Sequence, residues 1–154
     1  MNLKPTLAIP VCLFGVFAIW ITGSTGLPNL TDNCYRCLCH VSTECLMSNG
    51  CKGGYCGPFN ISRIVWVESG IEGLLENDGS ERHSWRDCTL EYNCSVKVLE
   101  SYFKRFVKDC NGDDVIDCFD YMMIYGNGGY DCSAPLNRSA RGRMWLKRYE
   151  QCKL

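Results

Sequence analysis

The chain has 154 residues and a formal net charge of −1, with 46% hydrophobic and 21% charged residues. Those figures exclude a disordered or fibrous protein and leave room for one domain with a real core. Thirteen cysteines place it among oxidised, disulfide-stapled chains, and the near-neutral charge excludes the broad basic field of a nucleic-acid binder.

Residues 1–26 begin with one charge, Lys4, followed by an apolar run over 7–21 and the small residues Gly23, Ser24, Thr25 and Gly26. This is the pattern of a secretory signal peptide, cut near Gly26 or at Gly23, and the apolar run is short of the ~20 residues that span a bilayer. Removal takes away Lys4 and Cys12. The mature chain, one domain over 27–154, then carries 15 Lys and Arg against 17 Asp and Glu, with 12 cysteines. An even count in a secreted, extracellular chain implies six bridges and no spare thiol. No second apolar run is long enough to span, so no membrane contact is expected after cleavage. Four sequons, at Asn29, Asn60, Asn93 and Asn137, are potential glycan sites.

Residues 34–46 read as a helix pinned by four cysteines. The Cys34, Cys37 and Cys39 cluster resembles zinc spacing, but a zinc site would leave the even tally unexplained, so no metal or cofactor is expected. His40 and His83 are the only histidines, too few for a histidine-based site. Between 57 and 67 the residues Phe59, Ile61, Ile64, Val65, Trp66 and Val67 predict short strands or a hairpin. Residues 69–84, rich in Gly and Glu, predict an exposed loop. Val96, Leu99, Phe103 and Phe106 share one face of a helix over 94–109, the predicted centre of the core. Asp113 and Asp114 predict the cap of a second helix with Val115, Cys118, Phe119 and Met122 facing inward, stopped by Asn127-Gly128-Gly129. A last helix over 141–152 places Trp145, Tyr149 and Cys152 on one side. The fold class is therefore α+β, mostly helical, with a small β-hairpin or sheet. Charge is uneven: residues 138–153 hold six Lys or Arg and one Glu, while 68–81 hold five acids and no base.

Several segments together carry a family resemblance. They are Cys34-Tyr-Arg-Cys37-Leu-Cys39, Cys45, Cys51, Cys56-Gly57-Pro58-Phe59-Asn60-Ile61, Trp66-Val67-Glu68-Ser69-Gly70, Cys88, Cys94, Ser101-Tyr102-Phe103-Lys104-Arg105-Phe106, Asn127-Gly128-Gly129 with Cys132, and Trp145 to Cys152. With this spacing the chain resembles the invertebrate-type lysozymes, which include the destabilases. The resemblance covers nearly all of residues 27–154 and implies a lysozyme-like fold. It also implies bridges Cys34–Cys118, Cys37–Cys152, Cys39–Cys45, Cys51–Cys56, Cys88–Cys94 and Cys110–Cys132. A seventh bridge frequent in the family has Ser69 and Val98 at its positions here.

The resemblance implies hydrolysis of bacterial peptidoglycan, in defence or digestion, with peptidoglycan or a related glycan as partner. That chemistry needs one carboxylic acid to protonate the leaving oxygen and one carboxylate facing the anomeric carbon. The position matching the family's acid is Ser42, and the segment matching its second carboxylate, Lys52-Gly53-Gly54-Tyr55, holds no acid. Glu44 and Glu68 are the stand-in candidates. Glu44 is two residues past position 42, about 200° around a helix. Ser42 reads as a helix-surface or capping hydroxyl. For the isopeptidase activity described in some members, Ser42 or Ser48 with Lys52 would be the nucleophile and base, while Gly126 replaces the His that often precedes Asn-Gly-Gly. Tyr55, Phe59, Asn60 and Trp66 are the candidate sugar-binding residues of a cleft, by the affinity of sugars for aromatic and amide groups. The residues leave open three readings: a hydrolase, a non-catalytic glycan binder, and a structural disulfide module.

Overall fold

The computed structural model describes residues 26–71 and 84–154. The signal-peptide reading and most of the predicted 69–84 loop lie outside them. The first described helix is α1 (Asp32–Thr43), whose N-cap Thr31 accepts from the Cys34 amide. Its buried face carries Cys34, Cys37, Leu38 and Val41, so half of the apolar stripe is cystine sulfur.

Three two-residue strands follow: β1 (Cys51–Lys52), β2 (Tyr55–Cys56) and β3 (Ile61–Ser62). They pair antiparallel in the order β1-β2-β3, with Cys51 opposite Cys56, Lys52 opposite Tyr55 and Cys56 opposite Ile61. Gly53 and Gly54 join β1 to β2 with φ of 58° and 83°, the two successive positive values that a tight two-residue hairpin requires. Gly57 leaves β2 at φ 73°, and a Cβ there would lie 1.6 Å from the Thr89 carbonyl oxygen.

The predicted strand character does not extend past Ser62. Residues Arg63–Ser69 form a helix, α2, because the Ser62 side chain accepts from the Val65 amide and Gly70 closes the other end at φ 63°. Val65, Trp66 and Ser69 are buried, whereas Ile64 and Val67 face solvent. The β-branched composition favoured a strand, and two capping residues overrode it.

Helix α3 (Trp85–Leu90) leads into the central helix α4 (Tyr92–Phe106). Val98, Leu99, Tyr102, Phe103 and Phe106 form its inner face, and Val96 is only half-buried. Helix α5 (Cys118–Asn127) starts at Asp117, not at Asp113 or Asp114, with a reciprocal capping box between Asp117 and Asp120. The fully buried Asp120 carboxylate also accepts from the Cys110 and Asn111 amides, at 2.7 and 3.3 Å. Asp113 and Asp114 belong instead to an exposed loop around Asp109, which accepts from the Gly112 and Asp114 amides. Those amides hold the Asp109 carboxyl below its usual range. Val115, predicted to face inward, is exposed. A 3₁₀ turn (Leu136–Arg138) precedes α6 (Ala140–Tyr149), which stops short of the predicted Cys152.

Six disulfides close: Cys34–Cys118, Cys37–Cys152, Cys39–Cys45, Cys51–Cys56, Cys88–Cys94 and Cys110–Cys132. Ser69 and Val98 are both buried, on α2 and α4, which pack together. Among the described residues no helix is long and apolar enough to cross a membrane.

Candidate functional site

One wall of an open cleft of about 400 Å³ is the small sheet with α2, and the other is the end of α5, the glycine-rich turn after it and α6. Tyr55, Asn60, Ser62 and Glu68 line the first wall, and Tyr130, Asp131, Arg141 and Trp145 line the second. The fold builds this shape from two tight contacts. Gly129 lies against the Phe106 ring with no room for a Cβ, and its amide donates to the Tyr102 hydroxyl at 2.9 Å. The Tyr125 hydroxyl donates to the Phe59 carbonyl at 2.6 Å, tying α5 to the sheet side. Burial pushes the Tyr125 and Tyr102 phenols up, so both remain neutral hydrogen-bonding groups. Arg105 crosses one end, donating to the Glu68 carbonyl at 3.0 Å and to the Tyr130 hydroxyl at 3.3 Å.

Of the four residues expected to meet sugar, Tyr55 and Asn60 line this cleft and Phe59 and Trp66 do not. Phe59 is fully buried against Tyr92, with ring centroids 5.1 Å apart. Trp66 is 5% exposed and borders a different groove, shared with Trp85 and Arg86. Both aromatics are core because the segment that carries them turns over Gly57–Asn60 and then winds into α2. The exposed cleft aromatic that sequence reasoning missed is Tyr130, while Trp145, 4% exposed, backs the cleft from the core. Trp145 was read only as a helix-face residue, and Tyr130 had no signal beyond its place after Gly-Gly.

The carboxylate positions are equally plain. Ser42 is buried, and its hydroxyl donates to the Leu38 carbonyl one turn back, at 2.8 Å. It is therefore neither a surface group nor a cap. Glu44 ends α1 in the left-handed conformation at φ 58°, and its carboxylate pairs with Arg148 at 2.6 Å, away from the cleft. The 52–55 segment is the Gly53-Gly54 hairpin, with no acid on it. Glu68 does line the cleft, and Asp131, unremarked in the sequence, lines it from the other side. Glu68 is half-buried and Asp131 exposed.

The Ser–Lys arrangement is not assembled either. Ser42 is committed to its own helix, and Ser48 and Lys52 are exposed, with no hydrogen bond between them among the described residues. At Gly126 a Cβ would lie 2.9 Å from Leu136 and 3.3 Å from the Trp145 ring, which stacks on Tyr125. Trp145 occupies the space a side chain at 126 would need. Among the described residues no group of three or more His, Cys, Asp or Glu could hold a metal ion. Of the sequon residues, the Asn29 amide donates to the Ile116 carbonyl, Asn60 lies in the cleft, and Asn93 and Asn137 are exposed.

Residues 31–152 match the family model described as Destabilase. The chain belongs to the destabilase family of invertebrate-type lysozymes. Its relatives include a lysozyme of Ostrea edulis, 25% identical over 112 residues that span 69% of this chain and 72% of the oyster protein. Another is invertebrate-type lysozyme 6 of Caenorhabditis elegans, 28% identical over 123 residues, 77% of this chain and 83% of the worm protein. Among solved structures, Tapes japonica lysozyme aligns with a TM-score of 0.59 and 22% identity, over 83% of this chain and 97% of that one. Meretrix lusoria lysozyme, solved in complex with Aeromonas hydrophila PliI, aligns with a TM-score of 0.59 and 20% identity, over 82% and 93%. These structures share the destabilase fold with this chain. In this destabilase-family chain, the acids that line the cleft are Glu68 and Asp131, and neither Ser42, which does not line it, nor the 52–55 hairpin carries one.

Proposed function

We propose that this protein is a secreted lysozyme-family protein that binds bacterial peptidoglycan strands in its cleft and does not cleave them at an appreciable rate. Removal of residues 1–26 as a signal peptide is part of the reading, supported by the sequence pattern and by six disulfides, which suit an oxidising compartment. A role in antibacterial defence or digestion follows from the family. The observation that carries the reading is the contrast at the site. The cleft keeps aromatic, amide and charged groups on both walls, while the position for the proton donor holds a buried serine bonded to its own helix. Such a site can hold a sugar chain by stacking and hydrogen bonds. It lacks the donor that must protonate the leaving oxygen.

The test pairs a turbidity assay on bacterial cell walls with a sedimentation assay on insoluble peptidoglycan. Saturable binding with lysis at background is the expected result, and Tyr55→Ala should weaken binding without unfolding the chain. Ser42→Glu alone should leave lysis at background, because the second carboxylate is still missing. Robust lysis by the natural sequence would overturn the reading and direct mutagenesis to Glu68 and Asp131. No saturable binding to any glycan would favour a structural disulfide module.

A further inference from the structure

Of the four sequons, Asn60-Ile61-Ser62 alone has its asparagine on the wall of the cleft. Asn60 closes the turn between β2 and β3, where its backbone N–H donates to the Gly57 carbonyl at 3.0 Å and its φ is 61°. Asparagine is one of the few residues with a side chain that visit this left-handed conformation. The Ser62 hydroxyl, two residues on, caps α2 and lines the same cleft. The turn and the cap therefore place an asparagine and a serine at acceptor spacing, and a transferase that meets the chain before it folds reads only that spacing. The other sequons differ. The Asn29 side chain donates to the Ile116 carbonyl at 2.8 Å, the middle residue after Asn93 is Cys94, bonded to Cys88, and Asn137 lies outside the cleft. The Asn60 side chain makes no hydrogen bond among the described residues.

The walls around Asn60 suit a sugar. Tyr55 is 37% exposed and Tyr130 70% exposed. Tyr130 is nonetheless held in place: its ring meets the Phe106 ring edge-on, centroids 4.9 Å apart, and its hydroxyl accepts from Arg105 at 3.3 Å. An aromatic ring that is fixed yet uncovered offers its face to a flat apolar partner such as one side of a pyranose. The cleft volume of about 400 Å³ falls in the range that takes a small ligand. The first residues of an N-linked glycan are β-linked N-acetylglucosamine, a sugar that also alternates along the peptidoglycan strand.

We propose that Asn60 carries an N-linked glycan whose first N-acetylglucosamine residues occupy the cleft, so that the secreted protein holds a covalently attached ligand in its own glycan site. The proposal rests on the secretion and glycan-binding readings given above. In the attachment step, Asn60 Nδ2 displaces a lipid pyrophosphate from the anomeric carbon of a preassembled oligosaccharide. The C–N bond forms, the C–O bond to pyrophosphate breaks, one amide proton is lost and the lipid pyrophosphate leaves. The first sugar then starts on the cleft wall. A ligand tethered so closely competes at an effective concentration of millimolar order, so a free strand meets a cleft already filled.

The experiment compares the natural sequence made in a glycosylating secretory host with the same sequence made in a bacterial periplasm, which oxidises cysteines but attaches no such glycan. Glycopeptide mass spectrometry reads occupancy at Asn60, and sedimentation reads binding to insoluble peptidoglycan. Asn60 is expected to be occupied, and the glycan-bearing form should bind peptidoglycan about tenfold more weakly than the glycan-free form. Asn60→Gly, which suits the backbone at φ 61°, should bind equally whichever host makes it, although it keeps the other three sequons. In the glycan-bearing natural protein, nuclear Overhauser contacts should join the first sugar to the Tyr55 or Tyr130 ring. An unmodified Asn60 in the glycosylating host would overturn the proposal, as would equal affinity of the two natural forms for peptidoglycan, or a difference between hosts that persists in Asn60→Gly. Sugar-to-tyrosine contacts with no binding of peptidoglycan by either form would uphold the attached glycan as occupant and overturn the peptidoglycan reading of the cleft. Absence of those contacts in an occupied protein would overturn the proposal and leave that reading standing on the glycan-free form.

Discussion

The bridge between Cys37 and Cys152 permits a quantitative test of how the fold is held. It joins residues 115 apart, and an isolated crosslink of that span constrains the unfolded chain by about 5 kcal/mol in the loop-entropy model. Cys34–Cys118 is still present when Cys37 and Cys152 are both changed to Ser, and it shortens the loop. The path back to Cys34, across that bridge and on to Cys152 is about 37 residues, which lowers the expected loss to about 4 kcal/mol. The unfolding entropy of a domain of this size, near 0.27 kcal/mol/K, converts that loss to a fall in Tm of about 15 °C. The hydrogen bonds from Arg148 to the Val41 and Ser42 carbonyls keep α6 docked on α1, so the folded state need not change. The Cys51–Cys56 bridge, across 5 residues, is the control, with an expected loss of about 2 kcal/mol or about 8 °C. Differential scanning calorimetry on the oxidised proteins reads both. A fall for the long bridge no larger than that for the short one would refute the reasoning.

Tyr125→Phe removes the donor to the Phe59 carbonyl and leaves that acceptor buried, so a loss of about 1–2 kcal/mol is expected in urea unfolding. Gly126→His must push Trp145 and Leu136 aside, at about 1–3 kcal/mol, and should shift tryptophan emission to the red. Unchanged emission and unchanged melting together would show that the space is not filled as described. Burial raises the Tyr121 and Tyr149 phenols to about 12 and pushes Tyr35 and Tyr125 up as well. The folded state therefore holds these protons more tightly than the unfolded chain, whose tyrosines titrate near 10. Stability is fully present below about pH 10 and is lost as pH rises towards 12, so phenolate absorbance should rise in step with loss of ellipticity. Early, reversible ionisation of all eight tyrosines in a folded chain would contradict this.

Helices with a strong apolar period were legible in the sequence. The centre of α4 was placed because Leu99, Phe103 and Phe106 repeat on one face, and only its inner face is rotated, onto Val98 and Tyr102. The region after Ile61 misled because β-branched residues dominate it, while the deciding signals were one serine hydroxyl and one glycine. Asp113 and Asp114 misled because acidic residues cap loops as readily as helices, and Asp117 had the capping partner at Asp120. The pairing of twelve cysteines was not legible from their spacing and entered only with the family resemblance. At the site, position 42 and the 52–55 segment were legible as free of acids, since absence of an acid needs no geometry. The cleft wall was not, because Tyr55, Asn60, Tyr130, Asp131, Arg141 and Trp145 come from separate elements that only the fold brings together.

The close approach of Gly57 to the Thr89 carbonyl divides what this chain is free to vary. Position 42 lies in the last turn of a helix, whose backbone is compatible with serine and glutamate alike. Fifteen residues on, at Gly57, no side chain of any kind fits, because the hairpin exit and α3 touch backbone to backbone. The helical backbone at 42 and the backbone contact at 57 therefore constrain one short stretch in different ways. The residue at 42 can change within its helix, whereas the shape at Gly57 cannot relax without prising the sheet from the helix behind it.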